Sequence, residues 1–263
     1  MVATPNQANL TALAITWEPL PDDCPLEEKP VENTGQPLIA GALREALELA
    51  DWIKPEMLIA SNFGLCVTVN GDLAIKAPDW VYVPSVQAIA AGKERRSYTP
   101  NLEGAVPRVV MEFLSATDGG EYSIKPTFPP GKWFFYEQLL QVPTYVIFEP
   151  DSGLLEVYHL QSKRYELEKP DLNGRHWIAE MGLFLGTWRG EKEERSGYWL
   201  RWWDETGTLL LWGQEQLGYV RQQVEQERQR AEQERQRAEQ ERQRADKLAE
   251  FLRSQGIDPN TIP

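Results

Sequence analysis

The segment "LAIKAPDWVYVP" (residues 73–84) places one acid, Asp79, in a stretch that is otherwise mostly apolar and strand-like. A second such segment, "VPRVVMEFLS" (106–115), also carries one acid, Glu112. Alternate side chains of a strand take opposite faces, and the neighbours of Glu112 are apolar on both. A buried carboxylate is costly unless it is paired, protonated or bound to a metal. The sequence therefore predicts that Glu112 belongs either to an ion pair with a nearby Arg or Lys or to a metal site.

Asp79 directly follows Pro78, so it could cap a turn or stand at the entrance of a strand, where proline is tolerated. Two carboxylates on adjacent strands would form a site of hard oxygen ligands, which Mg²⁺ prefers. A lysine close by would stabilise charge on a phosphate or help to deprotonate water. The candidates that follow Glu112 are Lys125 and Lys132.

The order of the remaining segments predicts the fold class. An apolar spacing of three and four predicts a helix over 37–53, and "GKWFFYEQLL" (131–140) also looks helical. Strand-like segments stand between and after these helices, and "TYVIFEP" (144–150) is one of them. A tryptophan-rich region follows, for which the pattern predicts two short strands around Glu205-Thr206-Gly207. We therefore expect an α+β (or α/β) domain built on a mixed sheet.

Three parts are expected along the chain: an extended arm over 1–35, the folded domain over 36–216, and a charged helical tail over 217–263. The heptad "RQRAEQE" occurs at 228–234 and again at 235–241, which predicts one long helix. A strong coiled coil needs two apolar lines, whereas here a line centred on alanines runs beside a line centred on glutamates. The tail is either a solvated rod or a weak parallel or antiparallel pair.

Charge and composition limit the function classes. The net charge is −13, and all of it belongs to residues 1–220, because the tail has nine basic and nine acidic residues. Such an acidic body argues against a broad nucleic-acid-binding face. The chain has neither a long apolar run nor a signal-peptide pattern at its start. With Cys24 and Cys66 as its only cysteines, we expect a cytoplasmic protein without disulfides.

Taken together, "APDWVYV" (77–83), "VVMEFLS" (109–115) and "GKWFFYEQLLQVPTYVIFEP" (131–150) resemble the putative restriction endonuclease family expanded in cyanobacteria, a branch of the PD-(D/E)XK nuclease superfamily. The resemblance implies a restriction-endonuclease-like mixed β-sheet core flanked by helices. It also implies that Asp79, Glu112 and Lys132 are catalytic. Mg²⁺ (or Mn²⁺) would be held by Asp79, Glu112 and the backbone carbonyl of Phe113.

The chain departs from the superfamily pattern in its lysine. The usual lysine stands two positions after the second acid, where this chain has Leu114. The resemblance implies that the lysine function has moved to Lys132. The connection "ATDGGEYSIKPTFPPG" (116–131) is longer than is typical of the family, which keeps Lys125 as a competitor.

The N-terminal region of the family also contributes to the site. Its helix often carries a histidine where this chain has Gln36 or a neighbour, and an acid often joins the site, for which Glu32 and Glu45 are both candidates. The implied function is Mg²⁺-dependent hydrolysis of the phosphodiester bonds of DNA, and cleavage of a duplex would suit a homodimer. The alternative is a catalytically inactive nuclease fold that acts as an assembly or interaction module through its helical tail.

Overall fold

The structure, a computed structural model, describes residues 13–20, 34–90, 92–115 and 120–255. The chain divides into two compact units, Met1–Leu211 and Trp212–Pro263. Most of the predicted arm lies outside the described residues, although Ile15–Thr16 forms a short strand. The strands of the first unit are β1 (Ile15–Thr16), β2 (Leu58–Ala60), β3 (Gly64–Val69), β4 (Asp72–Lys76), β5 (Trp80–Val83), β6 (Ser97–Tyr98), β7 (Val109–Phe113), β8 (Thr144–Glu149), β9 (Leu154–Gln161), β10 (Arg164–Leu167), β11 (Arg175–Ile178), β12 (Leu183–Lys192) and β13 (Arg195–Trp203).

A six-stranded sheet in the order β10-β9-β8-β7-β5-β2 forms the centre of this unit. Strands β7 and β8 run parallel, and the other neighbours in the sheet are antiparallel. A parallel pair needs a crossover connection, and here residues 114–143 supply it. The predicted mixed sheet of an α+β fold is therefore confirmed.

The segment 73–84 is not one strand but two. Strand β4 pairs with β3 in a smaller sheet that also contains β1 and β6, whereas β5 belongs to the central sheet. Pro78 has no N–H to donate to a ladder, so the pairing breaks there and the chain changes sheets. Asp79 then stands directly before the first residue of β5, as expected of a residue at a strand entrance.

Helix α1 (Gly35–Leu49) buries Ile39, Leu43, Ala46 and Leu47 and packs against β13. It begins two residues before the predicted start and ends four residues before the predicted end. The helix cannot continue because Asp51 has a φ of 52°, in the left-handed region.

The crossover between β7 and β8 contains one turn of α-helix, α2 (Lys132–Phe134), which continues as a π-helix over Phe135–Leu140. The sequence predicted an uninterrupted helix for this segment, and π-turns were not foreseen. Single π-turns inside helices often occur at functional sites. The segment ends at Gln141, whose φ is 53°.

The last three strands of the first unit form a separate antiparallel sheet in the order β11-β12-β13. The two short strands predicted around Glu205-Thr206-Gly207 form in part, because β13 precedes this turn and Leu209 follows it, but the main hairpin of this region lies earlier in the chain. The long hairpin reverses at Glu193-Glu194, where both residues have positive φ, as the tight turns that join twisted strands require. A short turn does follow at Asp204–Gly207, and it joins Trp203 to Leu209 by an isolated bridge.

The second unit consists mainly of helix α3 (Gly213–Ser254), which has 42 residues and buries none of them. At 1.5 Å per residue it is about 63 Å long. It starts four residues before the tail boundary predicted at Leu217. No helix among the described residues is both long and apolar enough to span a membrane.

Candidate active site

The two acids singled out by the sequence lie at the same end of neighbouring strands. Strand β5 runs antiparallel to β7, with Trp80 opposite Met111. The same register places Asp79 opposite Glu112, and directly opposed residues of an antiparallel pair point to the same face. In addition, the N–H of Phe113 donates a hydrogen bond of 2.5 Å to Oδ2 of Asp79. The Asp79 carboxylate is therefore held against the backbone that carries Glu112.

Glu112 is fully buried and has partners at both of its carboxyl oxygens. Nζ of Lys132 lies 3.0 Å from Oε2, and the hydroxyl of Tyr136 donates to Oε1 at 2.8 Å. Both partners come from the crossover segment, where Tyr136 lies one turn after Lys132. The structure thus brings Asp79, Glu112 and Lys132 together.

The electrostatics of this cluster are set mainly by burial. The pKa of Glu112 is raised from 4.5 to about 8, mainly by burial. The nearby Lys132 opposes this rise, and the Asp79 carboxylate adds to it. Burial also lowers the pKa of Lys132, but the carboxyl groups of Glu112 and Glu121 outweigh burial and raise that pKa above its ordinary value. Lys132 therefore remains an ammonium group at neutral pH.

Glu121 is a member of the site that the sequence did not indicate. Oε1 of Glu121 lies 3.0 Å from Nζ of Lys132, so the ammonium bridges two carboxyl groups. The hydroxyl of Tyr145 donates to the backbone carbonyl of Glu121 at 3.0 Å, which anchors the loop from the sheet side. Glu121 is only 7% exposed. Its position in a glycine-rich loop with no periodicity gave no signal of this burial.

The other candidates are placed less favourably. Lys125 is exposed, and its backbone carbonyl accepts a hydrogen bond from Gly131. Glu45 forms an ion pair of 2.9 Å with Lys192. It lies nine residues along α1 from Gln36, about 14 Å at 1.5 Å per residue. Glu32 lies outside the described residues.

Gln36 does reach the site from the first turn of α1. Its side-chain amide donates to the backbone carbonyl of Phe113 at 2.6 Å, and the side chain is buried. This contact ties the N-terminus of the helix to the strand that carries Glu112. A carbonyl oxygen has two lone pairs, so the contact does not use the full capacity of the Phe113 carbonyl.

The atoms that could hold a metal are the carboxyl oxygens of Asp79 and Glu112 and the carbonyl oxygen of Phe113. All are hard oxygen donors, which suit Mg²⁺ or Mn²⁺ rather than a metal that prefers sulfur or nitrogen. Within the described ranges, no group of three or more His, Cys, Asp or Glu residues is arranged to hold a metal. Magnesium needs only one or two protein carboxylates, because water and substrate phosphate complete its shell. The donor set therefore fits such an ion.

Comparison with known proteins adds one positive finding. The model of the family described as Uma2, putative restriction endonuclease, matches residues 30–189. This range contains the central sheet, α1, the crossover segment and all the residues of the cluster described above. No curated protein matches the chain.

Proposed function

Because the chain belongs to the putative restriction endonuclease family, we propose that it is a metal-dependent endonuclease that hydrolyses the phosphodiester bonds of DNA. The observation that supports this function is the convergence of two acids and a lysine: Lys132 lies 3.0 Å from Glu112, and the residue after Glu112 donates its N–H to Asp79. DNA as the substrate follows from the family alone, which is an argument by analogy.

Asp79, Glu112 and the carbonyl of Phe113 would hold Mg²⁺ or Mn²⁺. Such an ion, when bound, supplies a water of lowered pKa and a positive charge beside the scissile phosphate. The chain's own contribution begins with the hydrogen bond from Phe113 to Asp79, which fixes one carboxylate before any ligand arrives. Tyr136 fixes the other carboxylate from the opposite side.

Lys132 acts as a cation in this proposal. Its raised pKa disfavours a role as the base that takes a proton from water. An ammonium group instead donates hydrogen bonds to the attacking water or to the phosphate oxygens, where negative charge develops in the transition state. Of the two functions considered for the lysine, charge stabilisation and deprotonation of water, we therefore assign the first.

Glu121 is a positioning residue. Lys132 has a second carboxyl partner at Oε1 of Glu121, so it would stay in place even where Glu112 also served a metal. The loop of Glu121 is in turn fixed by Tyr145. This arrangement lets one carboxylate serve the metal while the other keeps the ammonium in place.

Plasmid cleavage tests the proposal. Supercoiled DNA incubated with the purified chain and Mg²⁺ or Mn²⁺ is expected to be nicked or linearised, and chelation of the metal should stop the reaction. Lys132→Met and Asp79→Asn are expected to lower the rate at least 100-fold, the order of loss for one charge-stabilising group. Lys125→Met is the matched control and should retain the wild-type rate.

Absence of cleavage with either metal, on several plasmids, would contradict the proposal. That outcome would instead favour the inactive nuclease fold that serves as an assembly module. Cleavage that survives in Lys132→Met but fails in Lys125→Met would mean that the wrong lysine has been assigned.

A further inference from the structure

Helix α3 carries an exposed stripe of residues spaced three and four apart, in two lines that run side by side. Its first seam line consists of Leu217, Val224, Ala231, Ala238, Ala245 and Leu252, and its second seam line consists of Val220, Glu227, Glu234, Glu241 and Leu248. Positions separated by alternating steps of three and four form one stripe along a helix. The apolar residues at the two ends of this stripe are unusually exposed, since Val220, Val224 and Leu248 each expose more than half of their surface.

The glutamates of the seam differ from those of the outer face. On the outer face, Glu225, Glu232 and Glu239 each accept a hydrogen bond from the glutamine four residues later. The seam glutamates have no such hydrogen bond or ion pair with the described residues. They are bordered by arginines on both sides, of which Arg228 and Arg230 beside Glu227 are one example. Their charge is therefore available to a partner that approaches the seam.

We propose that this seam binds a second copy of the chain in antiparallel orientation. In an antiparallel pair, residues of the first seam line face residues of the second seam line of the other copy. One register matches the stripe from Val220 to Leu252 and leaves only Leu217 outside the pairing. It gives these facing pairs: Val220 with Leu252, Val224 with Leu248, Ala231 with Glu241, Ala238 with Glu234, and Ala245 with Glu227. The stripe is thus complementary to its own inverted copy over about 48 Å, at 1.5 Å per residue.

Size and charge favour this orientation over a parallel one. In a parallel pair each seam line faces itself, which would put Glu227, Glu234 and Glu241 against their own copies in three like-charge layers. The antiparallel register separates these glutamates and places an alanine opposite each one. The small alanine lets the helices approach, and the arginine before it in the chain, such as Arg230 before Ala231, can reach the facing glutamate.

A nucleic acid fits this face less well. The seam carries a line of carboxylates along its middle, and the tail as a whole has nine basic and nine acidic residues, so it offers no net positive charge to a phosphate backbone. The apolar ends of the stripe would also remain uncovered. A second copy covers both the apolar ends and the charged centre.

Crosslinking of single-cysteine variants tests orientation and register. In the full-length chain with Cys24→Ser, and with the buried Cys66 kept, Val224→Cys and Leu248→Cys are prepared separately, one with an affinity tag. A short bismaleimide should link the two variants when they are mixed, and it should link neither variant to itself. Gln236→Cys, on the outer face of the helix, is the control and should form no linked dimer.

Two results of the crosslinking would overturn the proposal. Linkage within each single variant would show a parallel pair, and absence of linkage in the mixture would show that this register does not form. Light scattering gives a second readout without cysteines: the wild type at high micromolar concentration should have twice the mass of one chain, and Leu248→Asp should have the mass of one chain. A wild type of single-chain mass at that concentration would also refute the pairing.

Discussion

Replacing Glu112 by glutamine should change how the stability of the metal-free protein depends on pH. The pKa of Glu112 is raised from 4.5 to about 8, mainly by burial. Between these values the folded state binds more protons than the unfolded state, so the free energy of unfolding falls as pH rises. The contribution of Glu112 is fully present below pH 4.5 and is lost as the pH rises through about 8. The slope reaches about 1.4 kcal/mol per pH unit, which gives a loss of roughly 3 to 4 kcal/mol between pH 5 and pH 8.

The assay is urea unfolding in the presence of a chelator at pH 5, 6, 7 and 8, followed by tryptophan fluorescence. Nine of the ten tryptophans precede residue 212, so the signal reports mainly the first unit. Glutamine has nearly the shape of glutamate and can still accept the hydrogen bond from Tyr136, so the Glu112→Gln variant should fold. The unfolding free energy of the wild type minus that of the variant should fall by roughly 3 to 4 kcal/mol between pH 5 and pH 8.

Glu166→Gln is the matched control, because Glu166 is an exposed acid on the edge strand β10. It should leave the pH dependence of the wild type unchanged. If Glu112→Gln and the wild type kept parallel stability curves from pH 5 to pH 8, the electrostatics derived for the buried cluster would be wrong. A steeper fall in the variant would refute the sign of the effect.

Three further outcomes are expected. Glu121→Gln should lower the DNA cleavage rate about tenfold, because Lys132 loses one charge-assisted hydrogen bond. The affinity for Mn²⁺, measured by calorimetry, should stay nearly unchanged. An equal loss of metal affinity would contradict the role of Glu121 in positioning Lys132. Tyr136→Phe should lower the free energy of unfolding by about 1 to 3 kcal/mol, because a buried carboxyl group loses a donor, and an unchanged denaturation midpoint would show that the bond contributes nothing. Burial lowers the pKa of His176 despite the Glu168 carboxylate, so the stability that this neutral imidazole contributes is present above pH 6.5 and is lost as pH falls. His176→Gln should therefore lose less stability than the wild type between pH 7 and pH 5. An equal loss in the two proteins would refute this.

The sequence indicated the two acids because each stands alone in an apolar, strand-like segment. Such a carboxylate must have a partner, because a carboxylate buried alone is costly, and the local pattern is enough to indicate the burial. The structure brings Asp79 and Glu112 together through the pairing of β5 with β7, a contact between segments about 30 residues apart. Local pattern could not supply this pairing, and the resemblance to a known family supplied it instead.

The errors have a common physical origin. Residues 73–84 look the same whether they form one strand or two, since alternation says nothing about which sheet a strand joins. The turn at Glu193-Glu194 was missed because this pair lacks the Asn or Gly that usually signals a tight turn. Glu121 was missed because burial of a loop acid depends on contacts with Lys132 and Tyr145, which are distant in sequence.

Histidines illustrate the same limit. The sequence showed only two, His159 and His176, with no spacing that suggests a cluster. In the structure both approach Oε2 of Glu168, at 2.9 and 3.4 Å respectively. His176 is almost completely buried, whereas the sequence pattern predicts a surface or half-buried position for each isolated histidine. Only the fold of β9 and β11 against the segment after β10 brings these three residues together.

Diffraction from a crystal grown with Mn²⁺ can show whether Asp79 and Glu112 share one ion, because the anomalous signal locates the ion without reference to activity. We expect a single strong peak, with the carboxyl oxygens of Asp79 and Glu112 and the carbonyl oxygen of Phe113 each at about 2.1 Å, the distance at which Mg²⁺ and similar ions bind oxygen. The same crystal form of Asp79→Asn should lose the peak. Full occupancy elsewhere, or no ion beside Glu112 while Lys132 remains bonded to it, would show that Asp79 and Glu112 do not form a metal site.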